Sequence, residues 1–150
     1  MPSLSLEQRM PTVNTILLVD DNAVQAAIRQ AILRRSGYFV ITALNPVRAL
    51  EQLRNGDFPC EVQLVVTDHI MPGMSGTEFV QEIRRFDPRI PILVISGMEE
   101  AVEQYEGLRI EFRLKPLAPE SLLACVRGLI FESNSLETAE TATPAPPAAR

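Results

Sequence analysis

Three aspartates, a serine and a lysine in this chain have the types and positions to do chemistry together. Asp20 and Asp21 follow the apolar run 16–19, Asp68 follows 64–67, Ser96 follows 92–95, and Lys115 follows 110–114. Each has an ordinary reading when taken alone. An Asp after a strand caps a helix, a Ser before a Gly makes a turn, and a Lys at a strand end is solvated. Brought to one edge, they become a site. Three carboxylates about 4 Å apart repel by a few kcal/mol per pair at an effective dielectric near 20, and a hard divalent cation relieves that repulsion. Oxygen-only ligation suits Mg²⁺, which keeps several waters and takes one or two carboxylates plus a phosphate oxygen. The set contains no His or Cys, which argues against zinc. Such a constellation suits phosphoryl transfer, where positioning and charge neutralisation do most of the catalysis. One carboxylate would be the nucleophile and form an acyl phosphate.

The elements that must position these groups are legible in the pattern. The runs 16–19, 39–42, 64–67, 92–95 and 110–114 read as strands, and three of them are continuously apolar, as strands covered on both faces are. Helical patterns lie between them. The first spans about 22–36, with Val24, Ala27, Ile28, Ala31 and Ile32 on its expected apolar face and Gly37 as its stop. The second opens with Asn45-Pro46 and stops at Asn55-Gly56. The third opens on the capping box Ser75-Gly76-Thr77-Glu78, with Met74 placed to staple onto Phe79. The fourth covers about 99–106 and is loaded with Glu99, Glu100, Glu103 and Glu106, so it should be the least stable. The last begins near Pro119 and buries Leu122, Leu123, Val126 and Ile130. This alternation predicts an α/β fold: a (βα)₅ doubly wound, parallel five-stranded sheet. In such sheets ligands bind outside the carboxyl ends of the strands, which is where the five polar groups fall.

Composition narrows the class further. The chain has 150 residues, 46% hydrophobic and 22% charged, with a formal net charge of −5. That fits one globular domain, and nucleic-acid binding would favour the opposite sign. The apolar runs fall far short of the roughly 20 residues a membrane helix needs. The first 14 residues hold Glu7 and Arg9 and no apolar block, so no signal peptide is read there. Cys60 and Cys125 match no metal spacing, and a reducing, cytoplasmic setting is expected. Residues 1–14 read as a flexible extension, 15–131 as the folded domain, and 132–150 as a disordered Pro/Ala/Thr-rich tail.

Four blocks carry a family resemblance. They are Ile16-Leu17-Leu18-Val19-Asp20-Asp21-Asn22, then Val65-Val66-Thr67-Asp68-His69-Ile70-Met71-Pro72-Gly73-Met74-Ser75-Gly76, then Ile92-Leu93-Val94-Ile95-Ser96-Gly97, and Phe112-Arg113-Leu114-Lys115-Pro116. In this order they resemble a response-regulator receiver domain of two-component signalling, with its flavodoxin-like fold. The resemblance implies that Asp68 is the phosphoacceptor. It implies that Asp21 and Asp68 ligate Mg²⁺, with Asp20 helping through water and the main-chain carbonyl of Ile70 completing the set. Ser96 would be the switch hydroxyl, Lys115 the partner of the phosphoryl group, and Phe112 the aromatic switch residue. The Lys115-Pro116 bond would be cis. A histidine kinase or phosphotransfer protein would be the phosphodonor, docking on the first helix and the loop after Lys115, with Asn22, Ala23, Ala26, Arg29 and Leu117 as candidates. With no further domain expected after Phe131, output would pass through protein contacts, including a phosphorylation-dependent homodimer, at the fourth helix, fifth strand and last helix.

Other readings stay open at this point. The chain could be a receiver cut from a larger hybrid histidine kinase, or a pseudo-receiver that is never phosphorylated. A haloacid-dehalogenase-like phosphohydrolase also uses Asp, a hydroxyl, Lys and Mg²⁺. It wants Asp-x-Asp after its first strand, whereas the nucleophile candidate here sits in Asp68-His69-Ile70. His69 suggests a general base or a phosphohistidine relay as a lesser alternative. Arg34-Arg35 and Arg84-Arg85 are expected to be solvated cations at helix ends.

Overall fold

The computed structural model describes residues 13–142, with side chains through residue 135. Among these residues the strands are β1 (Thr15–Val19), β2 (Phe39–Ala43), β3 (Leu64–Asp68), β4 (Ile92–Ser96) and β5 (Glu111–Leu114). They alternate with α1 (Ala23–Arg35), α2 (Pro46–Asn55), α3 (Gly76–Phe86), a 3₁₀ helix (Glu99–Tyr105) and α4 (Pro119–Ala142). All pairings are parallel, in the order β2-β1-β3-β4-β5. The chain steps outward from β1 to β2, then returns across β1 to β3. The order therefore reverses between β1 and β3, whose carboxyl ends carry Asp20 and Asp68.

Two apolar layers cover the sheet. Leu17, Val19, Val65, Ile92 and Val94 point to one face, under Phe79, Val80 and Ile83 of α3 and Ala49 and Leu50 of α2. Ile16, Leu18, Leu64, Val66, Leu93 and Ile95 point to the other, under Leu33 of α1 and Leu122, Val126 and Ile130 of α4. Burial on both faces explains why β1, β3 and β4 are buried at every position.

The caps form as the sequence indicates. Asn45 accepts from the amides of Val47 and Arg48 with Pro46 in the first turn, and Ser75 and Glu78 close a reciprocal capping box. Gly73, after Pro72, sits at φ +83°, a left-handed conformation that glycine adopts without a side-chain penalty.

Four expectations need correction. In α1 the buried stripe is Ala26, Arg29 and Leu33, while Val24 and Ile28 are 71% and 56% exposed. The helix is rolled so that Arg29 meets Asp20, an ion pair that apolar periodicity does not register. The fourth helical segment is 3₁₀ rather than α, and Met98 gives it no side-chain cap. Repelling glutamates and an uncapped start leave little to hold an α-helix there. The last helix runs past Phe131 to Ala142. Residues 132–142 hold no Pro or Gly and are rich in Glu and Ala, and the first breaker is Pro144. The rest of the expected tail, 143–150, and the extension up to residue 12 lie outside the described residues. Finally, Arg84 is not simply solvated: it donates to the carbonyls of Asp87, Ile90, Leu108 and Arg109, tying α3 to the loops around β4 and β5.

Gly76 opens α3 under the site loop. A Cβ there would lie 2.6 Å from the Asp68 carbonyl oxygen and 2.8 Å from His69 Cα, both backbone atoms. Gly76→Ala should therefore cost about 1–3 kcal/mol in urea unfolding. Gly128→Ala, with open space around its Cβ inside α4, should instead add about 0.5–1 kcal/mol.

Candidate functional site

The reversal of strand order brings Asp20, Asp21 and Asp68 together. One carboxylate oxygen from each lies within 4.8 Å of the others. Asp20 is fully buried, Asp68 is 4% exposed, and Asp21 is exposed at the rim. Lys115, at the end of β5, reaches across β4 and places Nζ 2.9 and 3.1 Å from the two oxygens of Asp68. Its amide donates to the Ser96 carbonyl at 2.8 Å, which fixes where the lysine starts. The Lys115-Pro116 bond is cis, as the resemblance implies.

Asp20 is the most constrained acid. Its Oδ1 accepts from the Asn22 amide at 2.9 Å, and its Oδ2 accepts from Arg29 Nη1 at 3.0 Å. Burial pushes its carboxyl above the usual range, and the charge of Asp68 adds to that push. The Asn22 amide, Arg29 and Lys115 act in the opposite direction. Asp68 Oδ1 also accepts from the His69 amide.

Ser96 is buried at the carboxyl end of β4, next to Asp68 in the sheet edge. Its hydroxyl is turned to the following turn, accepting from the Met98 amide at 2.9 Å. Phe112 is half-buried on β5. Ile70 lies two residues beyond Asp68 with its side chain 62% exposed. Asp20, Asp21, Asp68 and Lys115 thus meet at one edge, Ser96 ends the neighbouring strand, and Phe112 lies on β5.

The docking candidates do not all reach the surface. Asn22 and Ala23 are exposed and Leu117 is half-buried, but Ala26 and Arg29 are buried. Val24, Ala27, Ile28 and Ala31, expected inside, are exposed on α1 instead.

Two features escaped sequence reasoning, one involving Arg29 and one a pair of residues. For Arg29 the signal was the three-and-four spacing from Ala26 to Leu33, beside an acid pair. The other is the pair His69 and Tyr105. His69 Nδ1 and Tyr105 Oη share a hydrogen bond of 2.6 Å, with the rings edge to face. Tyr105 in turn packs against Phe112, ring centroids 6.0 Å apart. Burial holds the imidazole below its usual range and pushes the phenol up to about 12, so both are neutral at pH 7. A buried imidazole already engaged with a phenol is poorly placed to relay phosphate.

The family model for the response regulator receiver domain matches residues 16–127. The transcriptional regulatory protein ZraR of Escherichia coli K12 is 36% identical over 129 residues, covering 84% of this chain and 28% of that protein. The two-component response regulator ORR6 of rice is 34% identical over 119 residues, covering 71% of this chain and 65% of its own length. A response regulator receiver protein from Sinorhizobium medicae superposes with a TM-score of 0.72 at 27% identity, covering 81% of this chain and 97% of that one. The chain belongs to the response regulator receiver domain family. Receiver domains are signalling switches that interact with histidine kinases or phosphotransfer proteins. The chain spans less than a third of the length of the ZraR proteins it matches. No helix among the described residues is long and apolar enough to cross a membrane.

The phenol of Tyr105 gives a pH signature. Its folded pKa near 12 lies above the ordinary value of 10. The folded state therefore keeps a proton that the unfolded state loses. The resulting stability is full below pH 10 and disappears as pH rises toward 12. Alkaline unfolding followed by circular dichroism should show this loss, and Tyr105→Phe should reduce it, leaving the share of Tyr38, whose phenol burial also raises.

Proposed function

We propose that this domain accepts a phosphoryl group on Asp68 from a histidine kinase or phosphotransfer protein, and signals by the conformational change that follows. The observation that carries the reading is the contact of Lys115 with both oxygens of Asp68, inside a cluster of three acids at the sheet's switch point. Asp68 is the nucleophile: an Oδ–P bond forms while the bond from phosphorus to the donor's imidazole nitrogen breaks, and the imidazole leaves. Lys115 then pairs with the phosphoryl oxygens, and the Ser96 hydroxyl turns from Met98 toward them.

The oxygen-only donor set and the closeness of the three acids fit Mg²⁺. Asp21 and Asp68 would hold it, with Asp20 behind them and the Ile70 carbonyl completing the protein's share. When bound, Mg²⁺ neutralises charge on the carboxylates and the phosphoryl oxygens.

The phosphodonor docks on the exposed stripe of α1, namely Val24, Ala27 and Ile28, close to Asp21. This stripe replaces Ala26 and Arg29, which are buried. Output leaves through the 3₁₀ helix, β5 and α4, where Phe112 lies behind Ser96. Residues 15–131 form the switching unit, which works in the cytoplasm through protein contacts, a homodimer included, and not by touching nucleic acid. Its only catalysis is of its own phosphorylation and dephosphorylation.

Incubation with Mg²⁺ and a small phosphodonor should add one phosphoryl group to the intact mass, and Asp68→Asn should abolish the gain. Labelling that survives in that variant would mean another residue is the acceptor. Mg²⁺ at a hundredfold excess over Kd should stabilise the fold by about 2.7 kcal/mol in thermal unfolding, and Asp21→Ala should lose this gain. Ile28→Glu should slow transfer from the donor protein about tenfold more than it slows labelling by the small phosphodonor.

A further inference from the structure

Arg29 is a charged residue where a helix would ordinarily bury an apolar one. It lies in the inward stripe of α1 between Ala26 and Leu33. Its Nη1 donates to Asp20 Oδ2 at 3.0 Å, with the two side chains only 11% and 0% exposed. Its Nη2 donates to Gln25 Oε1 at 2.9 Å, so a second residue of the same helix aims the guanidinium. A buried guanidinium is costly unless it is paired and hydrogen-bonded, and here it is both.

We infer that Arg29 is a built-in counter-cation of the acid cluster and a positioning residue that sets how tightly the cluster takes a divalent cation. The inference rests on reading the cluster as a Mg²⁺ site. Three carboxylates face two protein cations, Arg29 on Asp20 and Lys115 on Asp68, so a single negative charge is left over. With Lys115 alone the surplus would be two. Arg29 thus does two things. It holds the buried Asp20 in a fixed orientation with its charge compensated when no metal is bound, so the cluster stands ready-made. It also opposes an incoming cation, because a fixed positive charge next to one of the acids repels a second one. Lys115 comes from the far side of the cluster, and its ammonium is directed at Asp68, where the phosphoryl group would form. Of the three acids, Arg29 is bonded to Asp20. The two cations therefore divide the work: one reads the phosphoryl group and the other sets the metal's affinity.

The test is Mg²⁺ titration of the full chain by calorimetry at pH 8, comparing the parent with Arg29→Met and Arg29→Lys. Arg29→Met removes the charge at similar length. It should lower the melting temperature without metal yet tighten the Mg²⁺ Kd by about tenfold or more. Arg29→Lys keeps the charge and should stay within about threefold of the parent. A merely structural arginine would give the reverse: lost stability with Mg²⁺ binding unchanged or weaker, and that result overturns the inference. Should Arg29→Met fail to fold, the parent protein still decides. Nitrogen-15 NMR of the arginine side chains should show the Arg29 guanidinium signal move on Mg²⁺ addition together with the amides of Asp21 and Asp68. Amides that move while the Arg29 signal stays fixed refute the role of Arg29 alone. If neither moves and calorimetry detects no binding, the Mg²⁺ site itself is wrong and the inference goes with it.

Discussion

Anionic side chains cannot be buried side by side unless cations or a metal offset them. That constraint organises this molecule. Parallel pairing of β1 with β3 sets Asp20 and Asp68 next to each other at the carboxyl edge, one fully buried and the other nearly so. The cations that offset them come from distant parts of the chain. Lys115 arrives from β5 and Arg29 from α1. Each constrains the element that carries it. The lysine needs β5 beside β4 with its amide on the Ser96 carbonyl, and the arginine sets the roll of α1 about its axis. The charges gathered at this edge therefore also hold its framework in register.

Beside Lys115, on the side away from α1, runs a chain of uncharged contacts. Asp68 accepts from the His69 amide, the His69 ring shares a hydrogen bond with Tyr105, and the Tyr105 ring lies against Phe112. The acid cluster and the middle of β5 are thus joined by three successive contacts, two of them made by Tyr105 of the 3₁₀ helix. That helix is short, uncapped and rich in glutamate, with only Ala101 and Tyr105 buried. Few buried contacts and many exposed ones define a segment of low local stability. That chain of contacts thus passes through a weakly held element, the 3₁₀ helix that carries Tyr105.

The two faces of α1 answer to different demands. Its inner stripe serves the acid cluster through Arg29 and the core through Leu33. Its outer stripe carries Val24 and Ile28 into solvent. Neither demand alone would yield this helix; a purely amphipathic segment would have turned the aliphatic residues inward.

Much of the fold and the reactive edge could be read from residue order alone. Val- and Ile-rich runs ending in Asp, Ser or Lys, with Asn45-Pro46 and Ser75 through Glu78 as helix starts, are local signals whose physics acts within a few residues. The strand runs and the convergence of Asp20, Asp21, Asp68, Ser96 and Lys115 followed from those signals and the rules of parallel sheets. The roll of α1, the 3₁₀ geometry after Met98 and the tie between His69 and Tyr105 did not. Each depends on a partner the local pattern cannot name, such as a phenol 36 residues away from its imidazole or a carboxylate that outweighs aliphatic burial. Local propensity set which segments form and where they end. Only the packed structure could decide which way each one faces, because that choice balances charge against apolar area across elements far apart in the chain.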